Sequence, residues 1–245
     1  MTSRIINTTA LTEASPRTAA RIAGVGYLII FVLAIFANFI VRERLIDPDN
    51  AAATFVSIAD SELLFRVGIV GFLAIFIVDI AIAWALYVLF KNVGKELSLL
   101  TAWFRLVYTV FLGVALIFFF VVLDLVSGAG YLSAFGPGQL DAQVMLLLSA
   151  FNYAWLIGLA GFGIHLMLLG YLMLSSGTAP RVLGILLAIA GAAYVFDTAA
   201  NALVSSYSDY ENVFLLIVAI PSVIAELWFA MWLLMRGGVE QEALQ

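Results

Sequence analysis

VGIVGFLAIFIVDIAIAWALYVLF, running from Val67 to Phe90, holds a single charged residue, Asp79, in an otherwise apolar segment. A helix rises about 1.5 Å per residue, so about 20 such residues cross a hydrocarbon layer roughly 30 Å thick. This segment is long enough to do so. Five more of the same character begin near Ile22, Leu99, Val144, Val182 and Val213. With helix ends read from flanking polar residues, glycines and prolines, the expected helices are Arg21 to Val41, Leu63 to Phe90, Ser98 to Leu125, Gln143 to Leu174, Pro180 to Leu203 and Asn212 to Met235. Pro180 suits a first helical turn, whereas Pro221 inside the sixth helix predicts a kink or a freed carbonyl. The expected fold is all-α: a polytopic membrane protein with six transmembrane helices and both termini cytoplasmic. Its expected divisions are a flexible cytoplasmic N-terminus over 1–18, a six-helix domain over 19–236 and a cytoplasmic tail over 237–245.

Composition supports the class. Hydrophobic residues make up 64% of the 245 and charged residues 11%, against about 25% charged in soluble domains. The 11 basic residues are scattered rather than gathered in a patch, so no nucleic-acid partner is expected. Without cysteine the chain has no disulfide, thiolate metal site, iron–sulfur cluster or thiol nucleophile. The first apolar run lacks a small-residue cleavage site and reads as an uncleaved signal anchor.

Orientation follows from basic residues. Arg4, Arg17, Arg21, Lys91, Lys95, Arg181 and Arg236 fall on one side of the expected bundle, with Arg105 a turn or two into the third helix. Arg42, Arg44 and Arg66 fall on the other, among Glu43, Asp47, Asp49, Asp60 and Glu62. The positive-inside rule then assigns the first side to the cytoplasm. In the outer connection, residues 51–59 have the makings of a short interfacial helix. The glycine-rich segment 128–139 reads as a turn with interfacial aromatics or, alternatively, as a gate or re-entrant element.

Two helix pairs share a coarse pattern: Arg21 to Gly24 and Arg181 to Gly184 open the first and fifth helices. Asp79 and Glu226 lie mid-way along the helices that follow, each shortly before a tryptophan, Trp84 or Trp228. Such a parallel repeat is a known transporter feature. Gly158, Gly161, Gly163 and the face Gly184, Ala188, Gly191, Ala192 predict close helix packing.

The segment Arg21 to Leu28, the run Leu166 to Tyr171, Ser176-Gly177, and Pro180 to Leu187 with Ala190-Gly191 and Tyr194 together resemble a bacterial integral membrane family, domain of unknown function 4386. The resemblance spans roughly Arg17 to Met235. It implies a multi-pass membrane architecture in a bacterial cytoplasmic membrane and carries no activity or catalytic residues with it.

Function is sought in the ionisable groups of the apolar helices, since such groups are expensive in lipid and usually face a bundle interior, a cavity or a partner. The candidates for a ligand or proton site are Asp79, His165, Asp197, Asn201 and Glu226, with Arg105 as an ionic partner. His165 would relay protons if paired with a carboxylate of a neighbouring helix. One histidine excludes the H-E-x-x-H zinc motif and bis-histidine haem ligation, so no metal and no cofactor are expected; no catalytic residue is identified. Three functions stay open, in this order: a transporter or binding protein for a small molecule, lipid or ion; a non-catalytic sensor or assembly subunit; and a lipid-acting enzyme. Expected partners are membrane lipids, a small hydrophobic or ionic ligand, and a second copy or another membrane protein.

Overall fold

Ser15 accepts a hydrogen bond from the Thr18 amide at 3.2 Å and so caps helix α1, which starts at Pro16 and runs to Ile35. The computed structural model describes residues 14–237; the calls on residues 1–13 and 238–245 lie outside the described residues. Helix α1 begins inside the segment expected to be a flexible terminus. It then widens into a seven-residue π-helical stretch, Phe36–Arg42, and closes with the short α2, Glu43–Leu45. The first span therefore reaches further than the sequence predicts, and Arg42, expected in a connection, lies within it.

Helix α3, Ala51–Asp60, is the short helix expected in the first outer connection, capped by Asn50 through the Ala53 amide. The remaining spans are α4, Glu62–Phe90; α5, Lys95–Val126; α6, Pro137–Ser176; α7, Arg181–Leu203; and α8, Glu211–Met235. Six helices among the described residues are long and apolar enough to cross a membrane. The chain is an all-α, multi-pass membrane protein. At 40 residues, α6 is about 60 Å long and exceeds the hydrocarbon thickness about twofold. It ends at Gly177, whose φ of 70° is a left-handed cap that favours glycine. Residues 128–139 hold a short 3-10 helix, Gly130–Ala134. Helix α8 continues unbroken across Pro221, which supplies no amide to the carbonyl one turn earlier.

The spans pack in chain order and close on themselves: α1 on α4, α4 on α5, α5 on α6, α6 on α7, α7 on α8, and α8 back on α1. Lipid tails are as apolar as leucine, so the ring is held by close packing and polar contacts rather than by exclusion of water. The tightest seam is α6 on α7. Gly163 and Gly170 meet Gly191 and Gly184 backbone to backbone, and a Cβ on any of the four would collide with the facing chain. Gly158 and Gly161 turn instead toward α5, beside Tyr108 and Phe104. The small-residue faces read from the sequence are thus the packing faces of α6 and α7, except that Ala192 is exposed. Buried apolar residues form two clusters. The one toward the chain termini includes Leu86, Leu166, Leu187 and Phe229, and the other, toward α3, includes Phe72, Leu116 and Phe151.

Candidate functional site

Along α5 the polar residues Thr101, Arg105 and Thr109 recur at four-residue intervals and share one buried face. Arg105 points into the ring and is 1% exposed. The sequence offered it as an ionic partner a turn or two into the helix. In the structure it is the centre of the polar site. Its Nη2 donates to Asp79 Oδ1 of α4 at 2.5 Å. Its Nη1 donates to the Tyr27 hydroxyl of α1 at 2.7 Å and lies 3.3 Å from His165 Nε2 of α6.

The histidine tautomer follows from its partners. Nδ1 lies 2.8 Å from the Thr101 carbonyl oxygen, which can only accept, so Nδ1 carries the hydrogen and Nε2 offers its lone pair to Arg105. The expected histidine–carboxylate pair does not form, because the guanidinium lies where that carboxylate would be. Rings complete the enclosure. The Arg105 guanidinium carbon lies 4.7 Å from the Tyr27 ring centre and 5.3 Å from that of Phe162, which stacks on His165. Asp79, His165 and Tyr27 are buried with it. A fully desolvated ion pair stays intact only with good geometry and further hydrogen bonds, which Tyr27 and His165 supply.

Glu226 of α8 belongs to the same site but is bound differently. It interacts electrostatically with Arg105, Asp79 and Tyr27, is half-buried, and makes no hydrogen bond or ion pair with another described residue. On α7, Tyr194 lies within electrostatic range of Glu226 and edge-on to Phe162. All six spans therefore contribute. Tyr27, Asp79, Arg105, His165, Tyr194 and Glu226 each lie about nine to thirteen residues from the helix end on the side of Lys95 and Arg181, or roughly 14–20 Å in. Six helices present one polar level near mid-membrane.

The other two candidates are elsewhere. Asp197 Oδ1 accepts from the Tyr207 hydroxyl at 2.7 Å, and Asn201 also meets that tyrosine. These residues hold the α7–α8 turn together, with Tyr207 stacked on Phe214. No three His, Asp or Glu side chains come together as metal ligands among the described residues.

A second arginine was not identified as a site residue from sequence. Arg42 crosses the ring interior near its other end, donating through Nη1 to Asn38 at 2.9 Å and through Nη2 to Asn152 of α6 at 2.5 Å. Its guanidinium lies over Phe151 and Trp155. Between Arg42 and Arg105 stands an aromatic layer in which Phe119 stacks on Phe151 at 3.8 Å and Phe72 meets Trp155 edge-on. Tyr27 was also missed. Its signal was available, since Ala20, Ala23, Gly24 and Tyr27 follow the spacing of one helix face.

Residues 22–237 match the family described as Domain of unknown function (DUF4386). The chain belongs to this family. The match covers the ring from Ile22 onward and every residue of the polar level, so the site lies within the DUF4386 region. A relative in Archaeoglobus fulgidus, described as an uncharacterized protein, is 31% identical over 169 residues, which cover 69% of this chain and 83% of the relative. No solved structure matches the chain.

Proposed function

We propose that this DUF4386 protein binds a small cation within the membrane, in competition with a proton, at a site in which Asp79 and Arg105 are fixed and Glu226 exchanges. The observation that supports this reading is the charge count at the polar level, where two carboxylates face one guanidinium. Asp79 neutralises Arg105 through a direct bond. Glu226, within electrostatic range of the same guanidinium, makes no ion pair or hydrogen bond with a described residue. An uncompensated charge in a low-dielectric interior costs several kcal/mol, by order of magnitude, so the carboxylate takes a proton or a counter-cation. Gradient-driven transport is the activity that such an exchange serves. By the positive-inside rule, both termini belong in the cytoplasm, and the expected setting is a bacterial cytoplasmic membrane.

A second reading rests on the Asp79–Arg105–Tyr27–His165 cluster, which is buried and linked by hydrogen bonds through both terminal nitrogens of Arg105. Taken alone, that cluster is a clamp between helices, as suits a sensor or an assembly subunit. The two readings separate at Glu226. Protein in lipid nanodiscs, titrated with sodium and separately with methylammonium at fixed pH, should release protons to an indicator dye. Glu226→Gln should abolish the release. Absence of proton release from the wild-type protein with either cation, or release that survives Glu226→Gln, would overturn the cation site in favour of the clamp.

A further inference from the structure

At the C-terminal end of α8, the helix and the α6–α7 turn border a cleft of about 390 Å³. That size falls within the range of roughly 300–1,000 Å³ usual for ligand sites. Its walls differ in character. Thr178, Ala179 and Pro180 come from the turn, Trp228, Trp232 and Met235 from α8, and Arg236 stands at the rim. We propose that this cleft holds the headgroup of an anionic phospholipid, with its phosphodiester against Arg236 and the upper part of its acyl chains along Met235 and Trp228.

Four features favour that occupant. Arg236 is exposed and makes no ion pair with a described residue. The amides of Arg181 and Val182, immediately after Pro180, precede the first backbone bonds of α7 and add the positive end of its dipole to the same side. The neighbouring helix ends on this face bring Arg17, Arg21, Lys95 and Arg181, with Glu96 the acid among the described residues there. Basic pockets between transmembrane helices are known to select acidic headgroups, and tryptophan favours the headgroup level. Finally, Met231 and Met235 are 48% and 70% exposed, which continues the cleft into an apolar surface of the kind acyl chains cover. A zwitterionic headgroup would bring its own cation to Arg236 and lose the advantage.

The test is native mass spectrometry of the full chain after exchange into detergent with equal phosphatidylglycerol and phosphatidylcholine. The wild-type protein should retain phosphatidylglycerol preferentially. Arg236→Gln should weaken that retention about fivefold, the effect of one basic residue at an acidic membrane surface, while Arg236→Lys keeps it. Equal retention of the two lipids, or unchanged retention in Arg236→Gln, would overturn the proposal. Two further results would also overturn it: a thermal shift with inorganic phosphate that Arg236→Gln removes would mean a soluble anion, and a lipid-independent dimer lost in Arg236→Gln would mean a second copy.

Discussion

Removing one partner of the Asp79–Arg105 pair should cost far more than removing both. In Asp79→Leu the guanidinium keeps Tyr27 and His165, both neutral, and has Glu226 as its remaining acidic neighbour. Breaking a buried pair from one side costs about 3–5 kcal/mol, and the nearby glutamate puts this variant at the lower end, about 3. Arg105→Met is worse. It leaves Asp79 and Glu226 facing each other without a cation and takes the donor from His165 Nε2, whose loss alone is worth about 1–3 kcal/mol. About 5 kcal/mol is expected. Independent effects would sum to about 8 kcal/mol, whereas Asp79→Leu/Arg105→Met removes both charges and should fall within about 3 kcal/mol of the wild type. The coupling of about 5 kcal/mol is measurable by reversible unfolding in mixed micelles or by steric trapping in bicelles. Additivity to within about 0.5 kcal/mol would refute the reasoning, because it would mean that the two residues do not share one desolvated site.

Gly170→Leu should separate α6 from α7 and cost about 1–3 kcal/mol or more, read as a lowered unfolding temperature, because the added side chain meets the Gly184 carbonyl and the Ala188 backbone. Tyr207→Phe removes the 2.7 Å bond to Asp197 at the α7–α8 turn. A loss of about 1 kcal/mol is expected, visible as faster amide exchange over residues 204–210 with the centres of α4 and α5 unchanged. The absence of cysteine makes topology directly testable. In intact cells a membrane-impermeant maleimide should label Ser133→Cys and Ser206→Cys and spare Thr178→Cys, and the reverse pattern would place the termini outside.

The spans were legible because length and apolarity suffice to define them, and the error lies at their ends. The first helix gained Pro16 to Ala20 from the Ser15 cap, and residues 42–45 from the π-helical stretch that follows Ile35. Asp79, His165 and Glu226 were legible as rare ionisable groups in apolar helices, and the ring brings them to one level. Asp197 looked the same in sequence. What separates it is depth along α7, where it lies a few residues from the turn that carries Tyr207. Arg105 was legible as an ionic partner, and its central place was not, for the converse reason. A long cationic side chain one or two turns into a helix can reach the interface or fold inward, and the choice depends on Asp79 and Tyr27 arriving from helices distant in sequence.

The position of the central ion pair bears on how the chain enters a bilayer. Asp79 and Arg105 lie on consecutive helices joined by a short turn, so α4 and α5 bring them to one depth when they insert as a hairpin. A lone charge at a helix centre opposes insertion by about 2.5–3.5 kcal/mol; inside this hairpin each charge travels with its neutralising partner. Glu226 travels on α8, the sixth of the described spans, and reaches a ring whose other five members are already synthesised. The ion-paired part of the polar level is thus within reach early in synthesis, and the glutamate is added when the ring closes.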